Sequence, residues 1–443
     1  MEFGQNPSTL NSGGIGRDER IFAALKSDPL ILSMFLSLLL IGGDLIAIRV
    51  GGLTLRVVFP LLMMSFAFLF QRIGGRIVLD RHLTLLFFVL SLAAAASVMS
   101  SLDPVKSVGY TIWVFFDFFV IITLAYNFGA LYSPILTLKL WLLIYRIHAL
   151  LLIVELVRNI ALRHSVERPH LWFYETSFLA IFMAGYFGCA LFLLLRTGKS
   201  YLWDFILSLV AMIALSSATA LFAMLLAVLL NFLVARQRLL LLFFTILLFS
   251  VFLGILYLFF QDTVYYRLAG GFLLDSNGFA SAIDLVLGRS GNRWIRAAVG
   301  LDAFARHPWL GVGIGGDTAY MGASPFPESV AGYMQPWMDL DQGAPFSNIL
   351  IEVAGTMGLA GLVPVFGILF YALFSFIKAL RGRQIEAAAY FMSFFTIFLA
   401  LQFESTFLRY YLWTPLGLGL GVLAQTTAPQ MTRLVPILRQ ASA

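Results

Sequence analysis

The chain has 443 residues, 60% hydrophobic and only 12% charged, with a mean hydropathy of +0.91. Soluble domains carry about 25% charged residues; half of that leaves too little polar surface to keep a chain of this length in water, so lipid is its solvent. The net charge of +6 fits basic cytoplasmic loops against acidic headgroups, with no nucleic acid needed to explain it.

The apolar runs are continuous over about 20 residues rather than alternating over about ten, which argues against a β-barrel. They predict an all-α, polytopic integral membrane protein of about 12 transmembrane helices. Residues 1–29 are polar and rich in Gly, Ser and Asn, and read as a disordered cytoplasmic tail without a removable signal peptide. The predicted spans are Leu30–Ile48, Leu53–Phe70, Leu83–Met99, Tyr110–Phe128, Ile135–Val157, Phe173–Leu195, Trp203–Leu215, Ala218–Val234 and Leu239–Phe260. After a large loop come Ile349–Phe376, Ala387–Leu401 and Tyr410–Ala424. The chain thus divides into helices 1–9 (30–260), a large loop with helices of its own (261–347), helices 10–12 (348–425) and a tail (426–443). Trp203–Leu215 and Ala218–Val234 follow each other so closely that they read as a tight hairpin.

Lys and Arg in the short loops set the orientation. Arg72, Arg76, Arg81, Arg196, Lys199, Lys378, Arg381 and Arg383 fall on the side of the N-terminus, which places both termini in the cytoplasm and the large loop outside. The single cysteine, Cys189, lies within an apolar run and cannot form an intramolecular disulfide.

The external arginines depart from this bias. One group, Arg158, Arg163 and Arg168, follows the fifth span; another, Arg267, Arg289, Arg293, Arg296 and Arg306, lies in the large loop beside His307. If GNRWIRAAVGLDAFAR is a helix, Arg293 and Arg296 share a face at i, i+3, and HPWLGVGIGG ends it with Pro and Gly. Guanidinium is permanently charged and presents a planar fork of donors suited to phosphate oxygens. Two arginine groups on one membrane face therefore suggest a phosphorylated ligand; headgroup contacts or ion pairs with Glu167, Glu175 or Asp302 compete with that reading.

Ionisable residues within the membrane are functional candidates: Asp117 in the fourth span, and Lys139, Arg146, His148 and Glu155 in the fifth. An Asp117–Arg146 pair between neighbouring helices competes with a substrate role for Arg146. Glu175 and Glu352 sit at the outer ends of their spans, and Glu404 and Arg409 occupy the last external loop. HExxH, Walker A and GxSxG signatures are missing. GVGIGG follows a loop helix rather than a strand, so it reads as a tight return of backbone to the membrane, not a dinucleotide fingerprint. Tyr333, Trp337 and Met338 read as interface anchors.

Four segments resemble the bacterial O-antigen ligase and Wzy-type polysaccharide polymerase superfamily. They are ERPHLWFYETSFLAIFMAGYF, ALSSATALFAMLLAVLL, RSGNRWIRAAVGLDAFARHPWLGVGIGG and APFSNILIEVAGTMGLAGLVPVFGILF, in order over Arg168 to Phe370. The chain departs from the ligases at Ser347, where they place a histidine before the asparagine, and in SSATA, which lacks their arginine. The resemblance implies a GT-C-like fold with one large periplasmic loop between helices 9 and 10. It implies glycosyl transfer at the periplasmic face of the inner membrane, with undecaprenyl-pyrophosphate-linked glycans as substrates. Membrane lipids, and a flippase and chain-length regulator or export proteins, would be partners; no cofactor or metal is expected. A polymerase fits better than a ligase, and a lipid-linked-oligosaccharide flippase or other transporter is the rival of another class. Arg168, Arg289, Arg293 and Arg296 are the expected donor-phosphate ligands, with Arg146 and Asn348 as further binding candidates. Glu175 is the first candidate for the carboxylate on the acceptor hydroxyl, followed by Asp341 and His307. A helix C-terminal cap is the competing role for His307, and loop geometry for Asn348.

Overall fold

The computed structural model describes residues 15–43, 46–50, 53–163, 169–173, 175–215, 218–234, 293, 296–323, 346–404 and 407–427. The predicted span Leu239–Phe260, most of the large loop, and the candidates Arg168, Arg289 and Asp341 lie outside the described residues, as do Tyr333, Trp337 and Met338.

Helices dominate the described chain, with one two-stranded hairpin. A short helix, α1 (Ile15–Ser27), occupies part of the stretch read as a tail. It meets α2 (Pro29–Leu39) at 108°. Asp28 makes this elbow: its carboxylate caps α2 through Leu30 N (3.0 Å) just before Pro29, whose missing N–H suits a first helical turn. The same carboxylate takes Arg72 and the Tyr132 hydroxyl, both at 2.7 Å. The expected spans Leu30–Ile48 and Leu53–Phe70 are shorter here, because β1 (Ala47–Val50) and β2 (Leu53–Arg56) pair antiparallel before α3 (Val58–Arg72) begins. A Gly-Gly dipeptide between β-branched and leucine residues is the sequence sign of that hairpin.

Next come α4 (Arg81–Ser97), α5 (Pro104–Phe116), α6 (Thr123–Leu131) and α7 (Pro134–Arg163). A π-helical turn, Asp117–Ile122, joins α5 and α6 into one 28-residue span. The most enclosed helix is α8 (Thr176–Thr197). The short helices α9 (Leu202–Ala214) and α10 (Ala218–Val234) both pack chiefly on α8 rather than mainly on each other. Residues 296–306 form the loop helix α11, followed by α12 (Asp317–Ala323), α13 (Ile349–Arg381), α14 (Ile385–Ala400) and α15 (Tyr410–Thr427).

Among the described residues six helices are long and apolar enough to cross a membrane, or seven if α1 and α2 count as one bent span. The chain is a multi-pass membrane protein. Small residues bring α15 and α6 together: a Cβ on Gly417 would lie 2.8 Å from Ala125 Cβ, and one on Gly421 would lie 2.1 Å from Tyr126 O. Glycines four apart on one helix face are the usual means of such close approach in lipid.

The glycine-rich segment after α11 turns tightly, with Gly311, Gly313 and Gly315 at positive φ. It runs against a break in α13 at Gly358 (φ 62°, ψ −155°), a region open essentially to glycine alone. The break frees backbone groups, and the loop satisfies them: Leu359 N donates to Pro308 O (2.8 Å), Ala360 N to Trp309 O (3.1 Å), and Val312 N to Gly355 O (2.9 Å). A Cβ on Gly358 would meet Trp309 C at 2.4 Å. Gly358→Ala is therefore expected to cost at least about 1–3 kcal/mol and to lower the melting temperature of the purified protein. An unchanged melting temperature would show that this seam is not part of the stable fold.

Candidate active site

One face of the bundle gathers the ends of helices far apart in sequence: the C-termini of α4 and α14, and the N-termini of α5, α8, α10, α13 and α15. These are the ends that the charge bias assigns to the outside.

Arg293 and Arg296 meet there, as their i, i+3 spacing predicts. Arg293 makes an ion pair with Glu404, in the turn between α14 and α15, and its Nη1 lies 3.5 Å from Thr219 Oγ1 on α10. The Ser347 hydroxyl donates to the Arg293 carbonyl. Arg293 keeps 36% of its side chain exposed, whereas Arg296 is only 7% exposed. Arg293 is therefore the guanidinium open to a ligand, and Arg296 the inner one. Burial lowers the Arg296 pKa from its usual value, opposed by attraction to Glu404, Asp317 and Glu352. Burial raises the Glu404 carboxyl, and both arginines draw it back down.

Asn348, a binding candidate from the sequence, caps α13: its Oδ1 accepts from Leu350 N (3.0 Å) and Ile351 N (3.2 Å) at a φ of 73°. Its own N–H donates to Glu404 O at 2.8 Å, so the cap ties α13 to the Glu404 turn. Glu352, one turn further, is buried and accepts from Phe407 N (3.3 Å). Glu175 immediately precedes α8 and is exposed. Ser177 Oγ donates to it at 3.1 Å, and the same hydroxyl faces Glu404. His307 is exposed just after α11; its carbonyl accepts from Gly311 N (3.0 Å) and its ring stands edge-on to Tyr320.

Arg146 is elsewhere, and the Asp117–Arg146 pair that competed with a substrate role does not form. Arg146 grips Asp204 of α9 with both Nε and Nη2 at 2.8 Å, and the Tyr186 hydroxyl donates to the same carboxylate at 2.8 Å. Asp204 is the carboxylate that Arg146 reaches, while the buried carboxylate of Asp117 has no hydrogen-bond partner in its π turn. The sequence places Asp204 at the start of the predicted span Trp203–Leu215, but nothing in the sequence says which neighbouring helix that end meets.

Sequence reasoning underrated Glu404 and overlooked Asp317. Glu404 ends an apolar helix in LQFES, with nothing local to mark it; Asp317 follows the glycine-rich segment, where it reads as a helix start. Only the packing brings either to the arginines.

Residues 204–366 match the family described as O-antigen ligase, Wzy_C. The match contains Thr219, Arg293, Arg296, Asp317, Asn348 and Glu352, and leaves Glu175 and Glu404 outside it. No curated protein matches the chain. The family supports, in general terms, a ligase- or polymerase-type function on lipid-linked glycans. With its apolar helices and the paired arginines at their ends, the chain is similar to the O-antigen ligase family over residues 204–366, consistent with the O-antigen ligase and Wzy-type superfamily.

Proposed function

We propose that the protein is a polysaccharide polymerase of the periplasmic face of the inner membrane. It joins undecaprenyl-pyrophosphate-linked oligosaccharide repeat units without a metal. The observation that carries this reading is the pairing of the accessible Arg293 and the buried Arg296 at one mouth of the helix bundle.

In such a transfer the growing glycan leaves its lipid diphosphate and is joined to a hydroxyl of the incoming lipid-linked unit. The C–O bond to the diphosphate breaks, a C–O bond to the acceptor forms, and the hydroxyl proton passes to a base. Negative charge builds on the departing diphosphate. Fixed guanidinium groups in a water-poor site stabilise that charge without reorganising. Arg293 would meet the diphosphate first, exchanging part of its contact with Glu404, while Arg296 supplies charge from behind. Arg168 and Arg289 are proposed as further ligands. Glu175 is the proposed acceptor-side carboxylate: exposed, oriented by Ser177, and on the same face as Arg293. Asp341 and His307 rank below it. Glu175→Gln is expected to slow transfer by roughly 10²-fold or more without weakening donor binding, read from initial rates against donor concentration; a rate within twofold of wild type would remove Glu175 from the chemistry.

Ser347 favours a polymerase over a ligase. It stands where ligases carry the histidine on which the resemblance would rest their mechanism, and its hydroxyl is engaged by the Arg293 carbonyl. The test offers purified protein two acceptors at once, a lipid-diphosphate-linked repeat unit and a glycolipid lacking the diphosphate. A polymerase lengthens the first; transfer to the second alone would make it a ligase.

A further inference from the structure

We propose that Arg409 is a further guanidinium of the diphosphate site and the one that reads the second phosphate, an inference that rests on the proposed glycan transfer. A lipid-diphosphate donor carries negative charge on both of its phosphates. Arg293 is partly engaged by Glu404, and Arg296 is buried, so the accessible fork of that pair is Arg293's alone. Arg409, half-buried just before α15, brings another cation to the same mouth. It lies outside residues 204–366, the part of the chain that the family match covers.

The Arg409 guanidinium carbon stands 4.0 Å from the centre of the Phe178 ring, in the first turn of α8. Phe178 is buried, and its N–H donates to Glu175 O (3.1 Å). The ring face attracts the cation without cancelling its charge, and a guanidinium offers its donors as a planar fork that suits phosphate oxygens. Ser177, next to Phe178, donates to Glu175 and faces Glu404, so this ring borders the Arg293–Glu404 pair. The backbone that carries Arg409 is braced. Glu352 of α13 accepts from Phe407 N (3.3 Å), Trp413 Nε1 donates to Phe407 O (2.7 Å), and Leu412 N donates to Arg409 O (2.8 Å), which opens α15. Asn348, at the head of α13, holds Glu404 O through its own N–H (2.8 Å). One helix end therefore braces both Glu404, the partner of Arg293, and the approach to Arg409. Two guanidinium groups reach the mouth from different elements fixed on a shared support, which suits two linked phosphates better than one.

The test uses full-length protein in detergent and two probes, undecaprenyl diphosphate and undecaprenyl monophosphate, with binding followed by microscale thermophoresis. Wild type is expected to bind the diphosphate more tightly. Arg409→Gln should weaken diphosphate binding by about 10-fold or more, the loss of a charge-assisted contact, and leave monophosphate binding within about twofold of wild type. Arg409→Lys keeps a cation and loses the fork, so its diphosphate affinity should fall between the two; it also serves if the glutamine variant fails to fold. Equal binding of the two lipids by wild type would overturn the proposal, as would an unchanged diphosphate affinity in Arg409→Gln. An equal fall for both lipids would overturn it too, leaving Arg409 as a staple between α8 and α15. Selective loss of diphosphate binding in Arg409→Gln, from a wild type that lengthens no glycan, would sink the functional reading and leave the diphosphate site standing.

Discussion

Arg293→Ala is expected to lower glycan transfer by at least about 10²-fold, the effect of removing one preorganised charge donor from a developing oxyanion. The loss should fall mainly on kcat, since the charge it meets is larger in the transition state than in the bound donor. Arg293→Lys should recover only part of the rate: a lysine supplies the point charge but not the planar fork. The alanine variant also strips the buried Glu404 of its ion pair, so melting temperature must be followed beside the rate. A rate loss with intact folding is the expected result. Equal loss in rate and folding would reduce Arg293 to a structural partner of Glu404.

Asp204→Ala is the second large effect, and it acts on the fold. Asp204 is 1% exposed and carries both the bidentate Arg146 contact and the Tyr186 hydroxyl. Asp204 is buried but the Arg146 side chain is 39% exposed, so stranding the arginine is expected to cost less than the about 3–5 kcal/mol typical of a pair buried on both sides. Arg146→Met alone should be comparably damaging. The double change Arg146→Met with Asp204→Leu should recover folding, because replacing a buried pair by apolar side chains is often neutral or stabilising. Monodisperse yield and melting temperature report both outcomes. If Arg146→Met instead folds normally and abolishes transfer, the arginine belongs to a substrate path rather than to the bundle.

Much of this architecture is legible because lipid imposes simple demands. A segment such as Thr176–Thr197 must be apolar throughout and helical, so its boundaries fall within a few residues of those predicted. The same logic fails at the first two predicted spans. Hydropathy rewards Ile48 and Leu53 for being apolar, and cannot tell a strand from a helix in so short a run. The Gly51-Gly52 pair was the available cue. The shared placement of the arginine pair was legible from its i, i+3 spacing, and the tight turns of the glycine-rich segment from its glycines after a helix.

The carboxylates were not legible, because pairing across helices depends on which ends meet. Arg146 found Asp204 rather than Asp117, and Arg293 found Glu404 across 111 positions of sequence. Nothing in either sequence neighbourhood names its partner. Asn348 shows the converse: its place before an apolar run is an ordinary helix start, and it caps α13 while linking that helix to the Glu404 turn.

The central claim is tested most directly by wild-type protein reconstituted in liposomes with lipid-diphosphate-linked repeat units, its products separated on a gel. A ladder of progressively longer lipid-linked glycan is the predicted result. Unlengthened substrate moved across the bilayer by folded protein would contradict the account and make the chain a transporter.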